Sequence, residues 1–293
     1  MADGVGQALI RGIDIDKLAK GFADEDSIFK GLTTQSTTTA REIRWYSKTA
    51  GFLDSTDTSG ITASQIPTSE GSRPVVVGQT WTRNTSYVKK YFVESEWISE
   101  EDIKDSDPDV FATIVRDLVR AVANQVDKEI YNVITEDQSP SNINSTAATG
   151  NGWDDTSNGN PILDILTGQQ KIRSYSYDPK SAVIVMNSIE HKWLMNFLIS
   201  VKGSSIPQFS SQQIRDIAVT EILGNDVIVS ENAVTDSVAM WIPERSATWK
   251  AFMPLTTATK TDEGIGKKIR IWEEGQAILT DPKSVHLTTD TIT

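Results

Sequence analysis

At 293 residues, the chain has room for one large domain or two of ordinary size, and its 38% hydrophobic and 23% charged residues are those of a folded, rather polar protein. A net charge of −12 argues against a nucleic-acid binder, which needs clustered Lys and Arg to neutralise phosphate. The lack of cysteine removes disulfides, thiolate metal sites and cysteine nucleophiles, and two histidines are a thin supply for catalysis or zinc.

No run of about 18 apolar residues marks a membrane span. The opening residues show no apolar core followed by a small-residue cleavage site, so no secretory signal is expected. Residues 1–38 read as an arm. It holds a short amphipathic piece (Ile13, Ile15, Leu18, Phe22) and then the polar run TTQSTTTA. Residues 39–49, TAREIRWYSKT, alternate and are rich in strand formers. The next stretch, GFLDSTDTSGITASQIPTSEGSRP, is long for a plain loop inside a compact domain. Residues 75–97 return to strand chemistry. The layout predicts an extended hairpin-like excursion over 51–80.

Residues 98–119, ISEEDIKDSDPDVFATIVRDLV, hold a cluster of acids that invites reading as a metal or acid/base site. Helix punctuation accounts for it. Ser99 with Asp102 forms a capping-box pattern. Asp107 is a favoured N-cap and Pro108 a favoured first helical residue. Asp109 then complements the helix dipole. Apolar residues from Phe111 to Ile134 step by three and four, predicting a spine helix over 108–134.

A polar loop over 136–160 follows, then a second helix over 161–174 capped at Asn160-Pro161. SAVIVMNS reads as a short buried strand and Ser188 as the start of another helix. QQIRDIAV follows a polar loop. EILGNDVIVSENAV reads as a turn at Gly224-Asn225 and a strand, and the C-terminal third is strand-rich.

Known chemistry motifs are missing. There is no G-x-G-x-x-G, no phosphate loop, no nucleophile elbow and no H-E-x-x-H. DDTSNGN, residues 154–160, imitates a calcium loop, but Ile165 stands where the bidentate acid belongs, so a polar turn is the better reading. Glu273 and Glu274 are strand neighbours, point to opposite faces and do not form a pair. His191 and His286 read as structural. The sequons at Asn84 and Asn144 read as chance matches.

The order of parts resembles the major capsid proteins of tailed bacteriophages, the Hong Kong 97 fold. Local stretches support it: AVIVMNSIEHKWLMNFL, EILGNDVIVSENAV, SVAMWIPERSATW and KKIRIWEEGQAILTDPKSVHLTT are similar to that family's strand–turn–helix and closing strands. The resemblance covers nearly the whole chain from residue 39. It implies an α+β fold with an N-terminal arm (1–38), then a first peripheral part (39–135) carrying the extended loop (51–80) and the spine helix (108–134). An axial domain (136–260) and C-terminal strands completing the peripheral domain (261–293) would follow.

The resemblance further implies a non-enzymatic shell subunit without cofactor, forming hexamers and pentamers around double-stranded DNA without sequence-specific binding. It would be assembled in the host cytoplasm and located in the virion capsid. Phe52, Ile61, Ile66, Pro67, Arg73, Trp81, Lys89 and Lys90 would contact neighbouring subunits. The chain has no room for a scaffolding domain ahead of the arm, so a separate scaffold, or none, is expected; portal and decoration proteins are further possible partners. Two alternatives stand beside this reading. An encapsulin-type nanocompartment shell would be told apart by its contents. A glycoside hydrolase-like enzyme would need two facing carboxylates in a cleft.

Overall fold

The computed structural model describes residues 27–50, 70–73, 80–101, 110–136, 143–201 and 221–292. A 3-10 turn, Lys30–Leu32, leads into β1 (Thr34–Thr37), β2 (Glu42–Ala50), β3 (Thr80–Tyr87), β4 (Lys89–Glu94) and β5 (Ile98–Ser99). The long helix α1 (Val110–Thr135) follows, then β6 (Asn144–Ala147), α2 (Pro161–Ser174), β7 (Val183–Met186) and α3 (Ser188–Asn196). The chain closes with β8 (Glu221–Ile222), β9 (Asn225–Val229), β10 (Ser237–Trp241), β11 (Ala247–Asp262), β12 (Gly266–Leu279) and β13 (Val285–Thr289). This is an α+β arrangement.

The predicted spine helix is α1. Its 26 residues span roughly 39 Å at 1.5 Å each. Valine is a weak helix former, yet Val115, Val119, Val122 and Val126 sit on α1 fully buried with Ile130 and Ile134. Tertiary burial of that stripe, not propensity, holds the helix. Asp107 and Pro108 lie outside the described residues.

One sheet runs β1-β11-β12-β4, with β5 added on β12. Its long β11–β12 hairpin packs under α1. Ile269 and Ile271 of β12 share the core with the valines of α1. A second, six-stranded sheet runs β6-β13-β10-β7-β9-β8. Period two divides its side chains between two cores. Val183, Val185, Ala239, Trp241, Val285 and Leu287 join the α1 core. Ile184, Met186, Val238 and Met240 face the core that holds Ile165 and Ile172 of α2 and Leu194 of α3. Covered on both faces, β7 reads as an unbroken apolar run.

Asn160 caps α2 as expected, its side chain accepting from Leu163 N at 3.2 Å, with Pro161 first in the helix. The next helix begins at Ser188, but Asn187 is its cap. It passes at Phe197 into a π turn, Phe197–Val201.

Sheet membership at two strands cuts across the sequence order of the parts. β11 lies beside β12 rather than with the 136–260 part. β13 lies in the six-stranded sheet between β10 and β6 rather than with the strands before it. The physical reason is the turn at Asp281–Ser284, which carries the chain from one sheet to the other. The amphipathic piece over 13–22, most of the 51–80 excursion and QQIRDIAV lie outside the described residues.

Candidate assembly interface

Among the described residues β2 and β3 pair only with each other, as a two-stranded ribbon separate from both larger sheets. Their Thr, Trp, Tyr and Ile content suits a pleated, half-buried surface. In the antiparallel register Glu42 stands opposite Tyr87, Arg44 opposite Thr85, Tyr46 opposite Arg83 and Lys48 opposite Trp81. Residues directly opposite share a face. This outward face is exposed along its described length. The inward face buries Ile43 and half-buries Trp45, whose Nε1 donates to Ser86 Oγ at 3.0 Å.

The ribbon is rooted by ion pairs. Val88 alone separates β3 from β4, and its N–H donates to Arg41 O at 2.9 Å. Arg41 reaches Glu274 at 3.0 Å, and Lys90 approaches the same carboxylate at 3.7 Å. Lys30 holds Glu273 at 2.5 Å, and Lys89 pairs with Glu129 of α1. The two adjacent glutamates therefore serve different cations, as their opposite strand faces require. Both are buried, which a carboxylate tolerates only when paired. Lys90 also lies 4.9 Å from the Phe92 ring and 5.4 Å from that of Trp272.

The chain entering β1 is tied to the spine by Asp127. This buried carboxylate accepts from the N–H groups of Ile28 (2.8 Å), Phe29 (3.2 Å) and Lys30 (3.2 Å), and from Ser27 Oγ (3.0 Å). Burial pushes its pKa up, and the hydrogen bonds pull it partly back. β1 then pairs in parallel with β11.

The histidines occupy packing positions. His286 is buried in β13, its Nε2 3.0 Å from Thr146 Oγ1, and burial lowers its pKa to about 4. Burial also lowers that of His191, on α3. Asp155, in the calcium-like turn, accepts from the N–H groups of Ser157 and Asn158 and so closes its own loop. Among the described residues no group of three or more His, Cys, Asp or Glu is arranged to hold a metal ion.

Of the contact residues expected from sequence, Trp81 lies on the outward ribbon face and Arg73 is exposed. Lys89 and Lys90 are engaged within the chain, at the ribbon root. Phe52, Ile61, Ile66 and Pro67 lie outside the described residues. Ser99 sits in β5, opposite Gly266, and the two residues after it are helical. Sequence reasoning passed over Asp127, Arg41, Tyr46, Arg83 and Tyr87. For Asp127 the signal was a lone acid on the apolar stripe of α1.

A family model described as phage capsid protein matches residues 83–286, more than half of the chain. Three solved structures share the fold. One is from Mycobacterium phage Che8, 14% identical, with a TM-score of 0.64 over 91% of this chain and 92% of that one. Another is the mature capsid of bacteriophage PhiM1, 12% identical, with a TM-score of 0.62 over 90% and 86%. The third is a virus-like particle from Pyrococcus furiosus, 11% identical, with a TM-score of 0.61 over 94% and 98%. No curated protein matches the chain by sequence.

Proposed function

The chain belongs to the phage capsid protein family, and from that premise we propose that its copies associate into hexameric and pentameric rings that close a shell around double-stranded DNA. Membership of that family supports a location in the virion capsid and a structural role rather than an enzymatic one. The observation that carries the proposal is the ribbon β2–β3, rooted firmly in the body with the described side chains of one face exposed. Such a ribbon has a physical use when a neighbour supplies the missing cover. Head-to-tail contacts of this kind close into rings when the rotation permits. Each contact can be modest, because every copy makes several and later ones are effectively intramolecular.

In this reading the excursion over 51–80 lies on a neighbouring subunit, with Phe52, Ile61, Ile66 and Pro67 in the contact. Assembly takes place in the host cytoplasm, and scaffold, portal and decoration proteins are further partners. The shell does not read DNA sequence, in keeping with its acidic charge.

Size-exclusion chromatography with negative-stain electron microscopy tests this. Shells or capsomer rings are expected; a stable monomer at high concentration refutes the proposal. Deleting residues 54–72 is expected to leave a soluble protein that no longer closes shells.

The likeness to the Pyrococcus furiosus virus-like particle favours a second reading, a nanocompartment shell around cargo protein. The contents of purified particles, nucleic acid or a second protein, separate the two.

A further inference from the structure

The outward face of the ribbon carries a chemistry at odds with the chain's overall charge. Glu42, Arg44 and Tyr46 of β2 share it with Tyr87, Thr85, Arg83 and Trp81 of β3. Tyr46 is 61% exposed, Trp81 55% and Tyr87 66%. Three large rings are left to water on one face of one short ribbon, apolar surface that asks for a cover. Two guanidinium groups stand among them, in a chain of net charge −12. Arg44 is met by Glu42 at 2.8 Å. Arg83 has no ion-pair partner among the described residues. A two-stranded hairpin is also marginal in water by itself, so covering this face stabilises the ribbon as well as the contact.

The composition selects the cover. Tyr, Trp and Arg are the residues enriched at the energetic centres of protein interfaces. A guanidinium reads a carboxylate through two parallel N–H bonds. This acid-rich chain offers carboxylates in surplus on every copy. Nucleic acid fits less well, because Glu42 stands on the same face and the net negative charge repels phosphate at range.

We infer that this face of the ribbon is a docking face for an acidic surface on a second copy of the chain. Arg83 and Arg44 take its carboxylates, and Tyr46, Trp81 and Tyr87 supply the apolar contact. The inference rests on the self-assembly reading and adds to it one face and a sign of charge.

The experiment uses the full chain. Wild type, Arg83→Glu, the double variant Arg44→Glu/Arg83→Glu and Arg83→Lys are assembled over a salt series and followed by sedimentation velocity, with far-UV circular dichroism as the check on folding. The double reversal is expected to cut the assembled fraction at low salt by about tenfold or more, since like charges then face each other across the interface. Wild-type assembly is expected to weaken as salt rises, because the contact is charged and rim-accessible. Arg83→Lys keeps the charge and is expected to assemble. A carbodiimide, which joins amines only to carboxylates in contact, should then link position 83 to an Asp or Glu of another copy. Mixing isotopically light and heavy protein shows that the link is intermolecular.

A wild type that stays monomeric overturns the shell reading and the inference with it. A wild type that assembles while the folded double reversal assembles equally overturns the docking face alone. Variants that lose bound nucleic acid yet assemble normally overturn it in favour of a nucleic-acid face.

Discussion

The buried indole of Trp249 on β11 lies across Gly275 on β12, where a Cβ would stand 2.3 Å from Trp249 Cζ2. No positive φ accompanies Gly275, so the glycine is there for space, not for backbone freedom. Gly275→Ala must displace the ring, which packs with that of Tyr91 at a centroid distance of 6.3 Å. Overpacking of this kind costs about 1–3 kcal/mol. A fall of that size in the urea unfolding free energy is expected. The double variant Gly275→Ala/Trp249→Leu should lose less than the sum of the two single losses, because its smaller side chain makes room for the methyl group.

Much of this architecture was legible in the sequence, and the limits have a physical cause. The three- and four-residue steps from Val115 to Ile134 give α1, because a buried helix face needs that period. The run Val183–Met186 gives a doubly covered strand. Asn160-Pro161 gives a helix start. These are local signals. β1 pairing in parallel with β11, more than 200 residues later, is not local: a strand pattern states that a face is covered, never which strand covers it. The pairing of β13 with β6 and β10 is likewise long-range and carries no local signal. At the ribbon root, alternation alone sets Glu273 and Glu274 on opposite faces, yet Lys30, Arg41 and Lys90 emerge as their partners only in three dimensions.

Asp127 accepts four hydrogen bonds from residues 27–30. Asp127→Asn keeps one acceptor oxygen and turns an NH2 group toward N–H donors. Leaving buried donors unpaired costs about 1–3 kcal/mol. The loss is expected to be local as well as global. Hydrogen exchange by mass spectrometry should show faster exchange at residues 28–32 and little change in β7 or β10. Unaltered exchange at 28–32 would remove Asp127 as the anchor of this segment.

His286 predicts a pH dependence of stability. Its folded pKa, about 4, lies below the ordinary 6.5, because burial penalises the imidazolium and Lys171 adds repulsion. The unfolded chain therefore binds the proton more readily between those values. Stability from this group is intact above pH 6.5 and falls as pH drops toward 4, by about 3 kcal/mol for a shift of that size. Urea midpoints measured between pH 7 and 4 should show this slope. His286→Gln keeps a hydrogen-bonding group near Thr146 and should flatten it. A wild-type slope that survives the substitution assigns it to other groups.

Glu273 and Glu274 are both buried, but their cations differ in exposure. Lys30, the partner of Glu273, is 25% exposed, whereas Arg41, the nearer partner of Glu274, is 65% exposed. Lys30 is thus the less replaceable by solvent. Lys30→Met strands a carboxylate beneath α1, and breaking one side of a buried pair costs about 3–5 kcal/mol. Arg41→Met leaves Lys90 near Glu274 at 3.7 Å and should cost less. Replacing both members, Lys30→Met/Glu273→Gln, should recover much of the loss, because the uncompensated charge goes with the second change. Chemical denaturation of the four proteins measures this. Equal losses for Lys30→Met and Arg41→Met would show that water reaches both carboxylates alike.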